Sequence, residues 1–261
     1  MTSPIRIIGI AILITFSASY AHAIELAGYM PSAPYGVFST LSAESPREGH
    51  SAVSFLAEKA GSPEFYRYSS QLAFGVSDSV EVGVNIPYLD DTQATGMEDI
   101  LFGLKHRFFD EGTYGPSVAY LLTAGMASSH DTYSVNGSLG GGLIASKRVG
   151  PFRAHVNILY AHPWDKDLYD EVRGSAGVEF SAAHNFKIMA ELLERKSFYS
   201  RSLDQSELRL GYRFFYADSV IATIGAGVGV NDRAPEHRVF AALTFMFPQR
   251  EGDIERVIEG N

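Results

Sequence analysis

Tyr66-Arg67-Tyr68-Ser69-Ser70-Gln71-Leu72-Ala73-Phe74-Gly75-Val76-Ser77 alternates with a period of two. Every even-numbered residue except Ser70 is apolar, and every odd-numbered one is polar or small. Successive side chains on a strand point to opposite faces, so this segment has one apolar face and one wet face. Leu208-Arg209-Leu210-Gly211-Tyr212-Arg213-Phe214 repeats the pattern. Roughly a dozen such stretches follow one another along the chain, and that reads as an all-β, transmembrane antiparallel up-and-down barrel.

Twelve strands can be drawn outward from that stretch: His50–Glu58, Phe65–Ser77, Val80–Tyr88, Glu98–Phe109, Ser117–Gly125, Ser134–Arg148, Phe152–His162, Glu171–Ser181, Phe186–Glu194, Gln205–Phe215, Val220–Asn231 and His237–Phe247. Most are near the length, about 9–11 residues, that a tilted strand needs to cross a bilayer. Strands of soluble proteins average about half that. The connections fall into two alternating classes. Short ones (78–79, 110–112, 149–151, 182–185, 216–219) hold the Asp, Asn, Ser, Gly and Pro that tight turns demand. Long ones lie near 59–64, 89–97, 126–133, 163–170, 195–204 and 232–236. Short periplasmic turns, long outer loops and an even strand count belong together in outer-membrane barrels.

The two faces differ sharply. One runs through Tyr68, Leu72, Phe74, Val82, Val84, Ile86, Phe102, Leu104, Val156, Ile158, Val178, Ile188, Leu192, Ile224, Val228, Leu243 and their neighbours. The reading places no Asp, Glu or Arg on it, and one Lys, Lys147, at a strand end where its stem can snorkel. An Arg or Lys at mid-membrane on the lipid face costs about 2–4 kcal/mol. Phe108, Phe152, Phe180, Phe186, Phe214 and Phe247 border the short turns, and Tyr66, Tyr68 and Tyr160 border the long loops. Two aromatic belts are what a spanning barrel shows. The opposite face carries Arg67, Glu81, Asp99, Lys105, Arg107, Arg153, Arg173, Glu179, Lys187, Glu191, Glu207, Arg209, Arg213 and Arg238. These are the expected lumen-lining residues. Leu104→Arg should therefore impair assembly far more than Lys105→Leu.

Met1 to Ala23 reads as a signal peptide, with Arg6, an apolar run from Ile7 to Phe16, and Ala21-His22-Ala23 as the cleavage site. The apolar run is too short for a spanning helix, which needs about 20 residues. Loss of Arg6 with this segment takes the formal charge from −9 to −10. So acidic a chain lacks the basic face that nucleic acid requires. There is no cysteine, which removes disulfides, thiolate metal sites and cysteine nucleophiles. Residues 24–49, interrupted by Pro31, Pro34 and Pro46, are a periplasmic segment, a lumen plug or an extra strand around Tyr35–Leu41. The barrel spans 50–247, and 248–261 is a periplasmic acidic tail.

Val84-Asn85-Ile86-Pro87-Tyr88, followed by Gly96-Met97-Glu98-Asp99-Ile100-Leu101-Phe102-Gly103-Leu104-Lys105-His106-Arg107-Phe108, resembles the outer-membrane family named after the meta-pathway of phenol degradation. The matching positions are Gly96, Asp99, Gly103, Lys105, Arg107 and Phe108, soon after the Pro87-Tyr88 pair. The resemblance implies an outer-membrane, transporter-like barrel linked to passage of small, often aromatic or hydrophobic, compounds. It supplies no catalytic residues. The chain departs from outer-membrane barrels that finish on an aromatic residue: Phe247 takes that part here, with the acidic tail beyond it.

The inner charges support a charged passage with a mild anion preference, or a plugged interior in which opposite charges pair. Twelve strands give a backbone diameter of roughly 24 Å, much of it consumed by long side chains. The glycine clusters 140–142 and 225–229 precede no helix, so they relieve crowding and hold no phosphate. Asp90, Asp91, Glu98 and Asp99 match no calcium loop, and no metal or cofactor is assigned. His130-Asp131, His155 and His162 have no serine marked by a nucleophile turn, so no catalytic residue is assigned. The expectation is an outer-membrane barrel of a Gram-negative envelope that passes or takes up a small-molecule solute without covalent chemistry. Its partners would be outer-membrane lipid and the barrel-assembly machinery. The alternatives are a closed structural or partner-binding barrel and a lipid-modifying barrel enzyme.

Overall fold

The structure, a computed structural model, describes residues 28–62, 64–92, 94–128, 133–217 and 219–247. The expected signal peptide and acidic tail lie outside the described residues, as do His130 and Asp131. The strands are β1 (Ser51–Gly61), β2 (Phe65–Ser77), β3 (Val80–Asp91), β4 (Thr95–Met97), β5 (Ile100–Phe109), β6 (Ser117–Met126), β7 (Ser138–Val149), β8 (Phe152–Pro163), β9 (Glu171–Ala183), β10 (Phe186–Lys196), β11 (Gln205–Ala217), β12 (Val220–Gly229) and β13 (His237–Phe247). All but β4 form one antiparallel ring, closed by the pairing of β1 with both β2 and β13. Closure leaves the ring without a free edge, so its backbone groups are paired between strands. The three-residue β4 folds back on β3 over Tyr88–Asp90. No helix occurs among the described residues.

The period-two reading of β2 holds in space. Arg67, Ser69, Gln71 and Ala73 are buried inside, while Tyr68, Leu72, Phe74 and Val76 are 41–50% exposed on the outside. Outward rings at the turn end pair across strands, as Phe152 with Phe180 (4.9 Å between centroids) and Phe186 with Phe214 (5.0 Å). Such contacts are worth about 0.5–1.5 kcal/mol beyond burial.

Several expectations need correction. The connection between β1 and β2 is only 62–64, and the one between β5 and β6 is 110–116, so the strict alternation of short and long breaks twice. The second is capped by Lys147, whose Nζ donates to the carbonyls of Gly112 (2.6 Å), Gly115 (3.2 Å) and Thr113 (3.3 Å). Lys147 is therefore a turn clamp rather than a free snorkelling cation. The outer face also carries Lys59, Asp90, Glu194 and Lys196 at its loop end. Lys59, Asp90 and Lys196 lie where β1, β3 and β10 run past their expected ends, whereas Glu194 closes its expected strand with the parity of Leu192 and so corrects the reading of a face without Glu. Strand β5 begins at Ile100, which leaves Glu98 and Asp99 in the link after β4.

The core is inside the ring, and residues 28–47 supply part of it. Three apolar clusters join this segment to the wall. Tyr29, Leu41 and Ala43 pack with Ala119, Leu121 and Ile144. Ala33 packs with Phe215, Ile221 and Met246. Val37 and Phe38 pack with Met189 and Phe240. Fully burying such a side chain stabilises by about 1.5–3 kcal/mol. Wall glycines make the room: a Cβ at Gly83 or Gly103 would collide with the Tyr29 ring, and one at Gly177 would sit 3.0 Å from Val37.

Candidate functional site

The segment 28–47 threads the lumen as a folded strap, held mainly through its backbone. Prolines at 31, 34 and 46 keep it from pairing as a strand, and the isolated bridge Val37–Thr40 is the one ladder contact among its described residues. Its backbone groups must then find side chains, because an unpaired buried N–H or C=O costs about 1–3 kcal/mol. The wall supplies them. Asn85 and Gln71 donate to the carbonyls of Gly28 (3.2 Å) and Met30 (2.6 Å). Arg213 donates to those of Pro34 (2.7 Å) and Gly36 (2.9 Å). Glu191 accepts the N–H of Ser39 (2.8 Å), the N–H of Thr40 (2.7 Å) and the Ser39 hydroxyl (2.7 Å). Asn157 reads both sides of Leu41, accepting its N–H at 2.6 Å and donating to its carbonyl at 2.9 Å. Ser146 accepts the Ala43 N–H (2.9 Å), and Lys105 donates to the Glu44 carbonyl (2.6 Å).

The inner charges pair with one another around this strap. Glu98, Arg67, Glu58, Arg238, Glu207, Arg209 and Glu191 form an unbroken alternating hoop, with ion-pair distances of 3.0 Å (Arg67–Glu98), 3.2 Å (Arg67–Glu58), 2.7 Å (Arg238–Glu207), 2.9 Å (Arg209–Glu207) and 3.3 Å (Arg209–Glu191). Arg238 also pairs with Glu58. Glu171 bridges Arg173 (3.2 Å) and Arg195. Toward the turn end, Lys105 meets Glu81 (2.9 Å), and Arg107 meets Glu44 of the strap (2.7 Å) and Asp110 (2.8 Å). Lys187 meets Glu179 at 2.7 Å. Arg153 is half-buried at the turn end, in register with Glu179. Asp99 points into the connection 133–137, accepting from the Gly137 N–H (2.9 Å) and the Ser134 hydroxyl.

Four inner charges escaped the sequence reading: Glu58, Glu98, Glu171 and Arg195. Glu171 shares its parity with Arg173, and Glu58 shares its parity with Ser54, so alternation could have found both. Arg195 lies one residue past the expected end of its strand. Glu98 defeats parity, because the break between β4 and β5 resets the faces. With three more carboxylates than expected, the interior is closer to neutral than a sparse cationic pore. Asp91, Glu98 and Asp99 also go to separate partners: the Ala94 N–H (2.8 Å), Arg67 and the 133–137 connection.

One arrangement no motif announced is Ser146, His155 and Glu179 on β7, β8 and β9. Ser146 and His155 are direct cross-strand partners, with Oγ 2.8 Å from Nδ1, and Nε2 lies 3.4 Å from Glu179 Oε1. That is the order of a nucleophile, a base and its orienting group. Yet the serine oxygen already accepts the Ala43 N–H, the strap seals the trio, and Glu179 is held by Lys187. The contacts it makes here are anchoring ones. His162, by contrast, is outside, 2.6 Å from Asp170.

Two cavities described inside the ring are small. One cavity of about 60 Å³ lies between the strap and the wall of β11, β12, β13, β1 and β2, and a second of about 60 Å³ lies toward the loop end beside Gly28, Leu159 and Arg173. Each has room for a few water-sized groups, against about 300–1,000 Å³ for ordinary ligand pockets. Ala60, Phe65, Leu89, Tyr133, Val135 and Phe198 form an apolar cap across the loop end.

Comparison with family models and with curated proteins found no match. Among solved structures, the chain is similar to the KdgM porin, with a TM-score of 0.57 and 7% identity over 76% of this chain and 99% of that one. It is similar to the NanC porin, with a TM-score of 0.55 and 9% identity over 74% and 98%. It is also similar to the COG4313 outer membrane channel from Pseudomonas putida F1, with a TM-score of 0.54 and 8% identity over 85% and 100%. At such identities the likeness is one of fold: a closed antiparallel barrel of the porin-like, outer-membrane kind.

Proposed function

We propose that this chain is an outer-membrane barrel through which a small molecule passes when the strap 28–47 shifts. The observation that carries the reading is the chemistry of the wall beneath the strap. Asn85, Gln71, Lys105, Asn157, Glu191, Arg209 and Arg213 are polar, and water can replace the strap groups they now hold, backbone for all but Arg209, which holds the Ser39 hydroxyl. The outer face, nearly uncharged between two aromatic belts, suits lipid, and the porin and channel neighbours share the architecture. The apolar cap favours a solute that is itself partly apolar, in keeping with the resemblance drawn from residues 84–108.

A second reading is a closed barrel serving structure or partner binding. It is favoured by the small size of both cavities described above. Planar-bilayer recordings and solute uptake into proteoliposomes separate the two. The passage reading expects intermittent conductance from the full chain and larger, steadier currents when strap contacts are weakened, as in Lys105→Leu. Silence from both proteins, with no uptake, would leave the closed barrel standing.

A further inference from the structure

The cavity beside Arg213 has the makings of an acid-binding subsite. Arg213 is 3% exposed, and its Nε donates to Thr223 (3.2 Å) while its guanidinium also holds the Pro34 and Gly36 carbonyls. Its nearest carboxylate, Glu179, is 3.8 Å away and belongs first to Lys187 at 2.7 Å. Two buried cations thus share one carboxylate, and the groups closest to Arg213 are neutral. Buried charges normally sit against full countercharges, as Arg238 does between Glu58 and Glu207. The same cavity is lined by Arg209 and by Ser69 and Asn85, whose Oγ and Oδ1 have no hydrogen-bond partner among the described residues. Its apolar side is the edge-to-face pair Phe38–Phe240 (4.7 Å) with Leu56 and Ala242.

We propose that this cavity receives the carboxylate of a small organic acid, and that the acid exchanges with the strap carbonyls on Arg213 to release the gate. The inference rests on the passage reading and names its solute class. The exchange replaces two guanidinium–carbonyl bonds by a bidentate guanidinium–carboxylate pair and supplies the full countercharge that Arg213 lacks, so it is favourable. Losing Arg213 frees the 34–36 turn, which is what holds Ala33 among Phe215, Ile221 and Met246. An aromatic or aliphatic body then has Phe38, Phe240 and Leu56 to lie against.

The test uses the full chain with Ser42→Cys as its single thiol, and follows labelling by a water-soluble maleimide. Sodium benzoate should raise the labelling rate about fivefold, the effect of about 1 kcal/mol from the added countercharge. Benzamide, its neutral isostere, and sodium chloride at matched ionic strength should leave the rate unchanged. Arg213→Gln should raise the basal rate and abolish the benzoate response, whereas Arg213→Lys should keep a response. A heat-modifiable gel shift verifies assembly, and Arg213→Lys alone decides if the Gln variant does not assemble. Equal effects of benzoate and benzamide, equal effects of benzoate and chloride, or a benzoate response surviving in Arg213→Gln would overturn the proposal. Labelling needs no flux. A benzoate response without uptake into proteoliposomes would keep the subsite and remove the passage reading, while uptake without the response would do the reverse.

Discussion

Lys105 joins two structures with one ammonium. It meets Glu81 at 2.9 Å and the Glu44 carbonyl at 2.6 Å, and it is 2% exposed. Strand alternation alone makes Lys105→Leu a mild change beside Leu104→Arg. The buried pair revises that, since removing one partner of such a pair costs about 3–5 kcal/mol. Leu104→Arg places a cation on the lipid face at about 2–4 kcal/mol and should block assembly. Lys105→Leu should instead assemble and keep its heat-modifiable gel shift, because the lipid face is unchanged, and label faster at Ser42→Cys, because the Glu44 carbonyl of the strap loses its donor. Equal assembly defects would mean that strap and barrel fold as one unit. The phenols of Tyr29 and Tyr35 report on the same contact. Burial first, then Glu81 for Tyr29 and Glu44 for Tyr35, pushes both above the usual tyrosine value. A group whose folded value is raised contributes its full stability below the unfolded value, about 10, and loses it as pH rises beyond. Strap labelling should therefore accelerate above about pH 10. Tyrosinate absorbance should show a late component that shrinks in Tyr29→Phe and Tyr35→Phe. Ionisation of all tyrosines together near the ordinary value would contradict the burial.

At the scale of the element, the strap is what local pattern leaves undecided. Its prolines interrupt 24–49, but nothing there chooses between a periplasmic segment, a lumen plug and an extra strand. Its partners lie far off in sequence, 116 residues for Leu41 and Asn157 and 152 for Ser39 and Glu191. Period two, by contrast, is local and survives any closure. It put Arg67, Glu81, Arg173, Glu207, Arg209 and Arg213 on the face that is buried, passed over Glu171, and failed where a strand broke, at Glu98. The same distinction predicts where the strap is latched. Asn157→Leu would strand both the N–H and the carbonyl of Leu41 at about 1–3 kcal/mol each, without touching the lipid face. The variant should assemble normally and show conductance more often open than the parent. Gel shift and single-channel occupancy check the two halves of that statement, and unchanged occupancy would move the latch away from Leu41.

For the whole molecule, an even ring of long strands was legible because closure, sidedness and a lipid-compatible face all derive from alternation and turn chemistry. The filling of the ring was not legible, because it depends on a segment without periodicity meeting side chains from nearly every strand. That dependence can be tested without altering the wall's charges. The chain has no cysteine, so any thiol pair is an introduced one. Ser42 and Ser146 place their Oγ atoms 3.5 Å apart across the strap–wall contact, close enough for the replacing sulfurs to bond after a small adjustment. In Ser42→Cys/Ser146→Cys, oxidation should tie the strap to β7, silence conductance and solute uptake, and leave the gel shift intact. Reduction should restore both activities, and either single cysteine should be indifferent to oxidant. If current persisted through the oxidised barrel, the path would not run beneath the strap. The place to look would then be the wall beside β4, where β3 and β5 pair only from Val80 to Asn85.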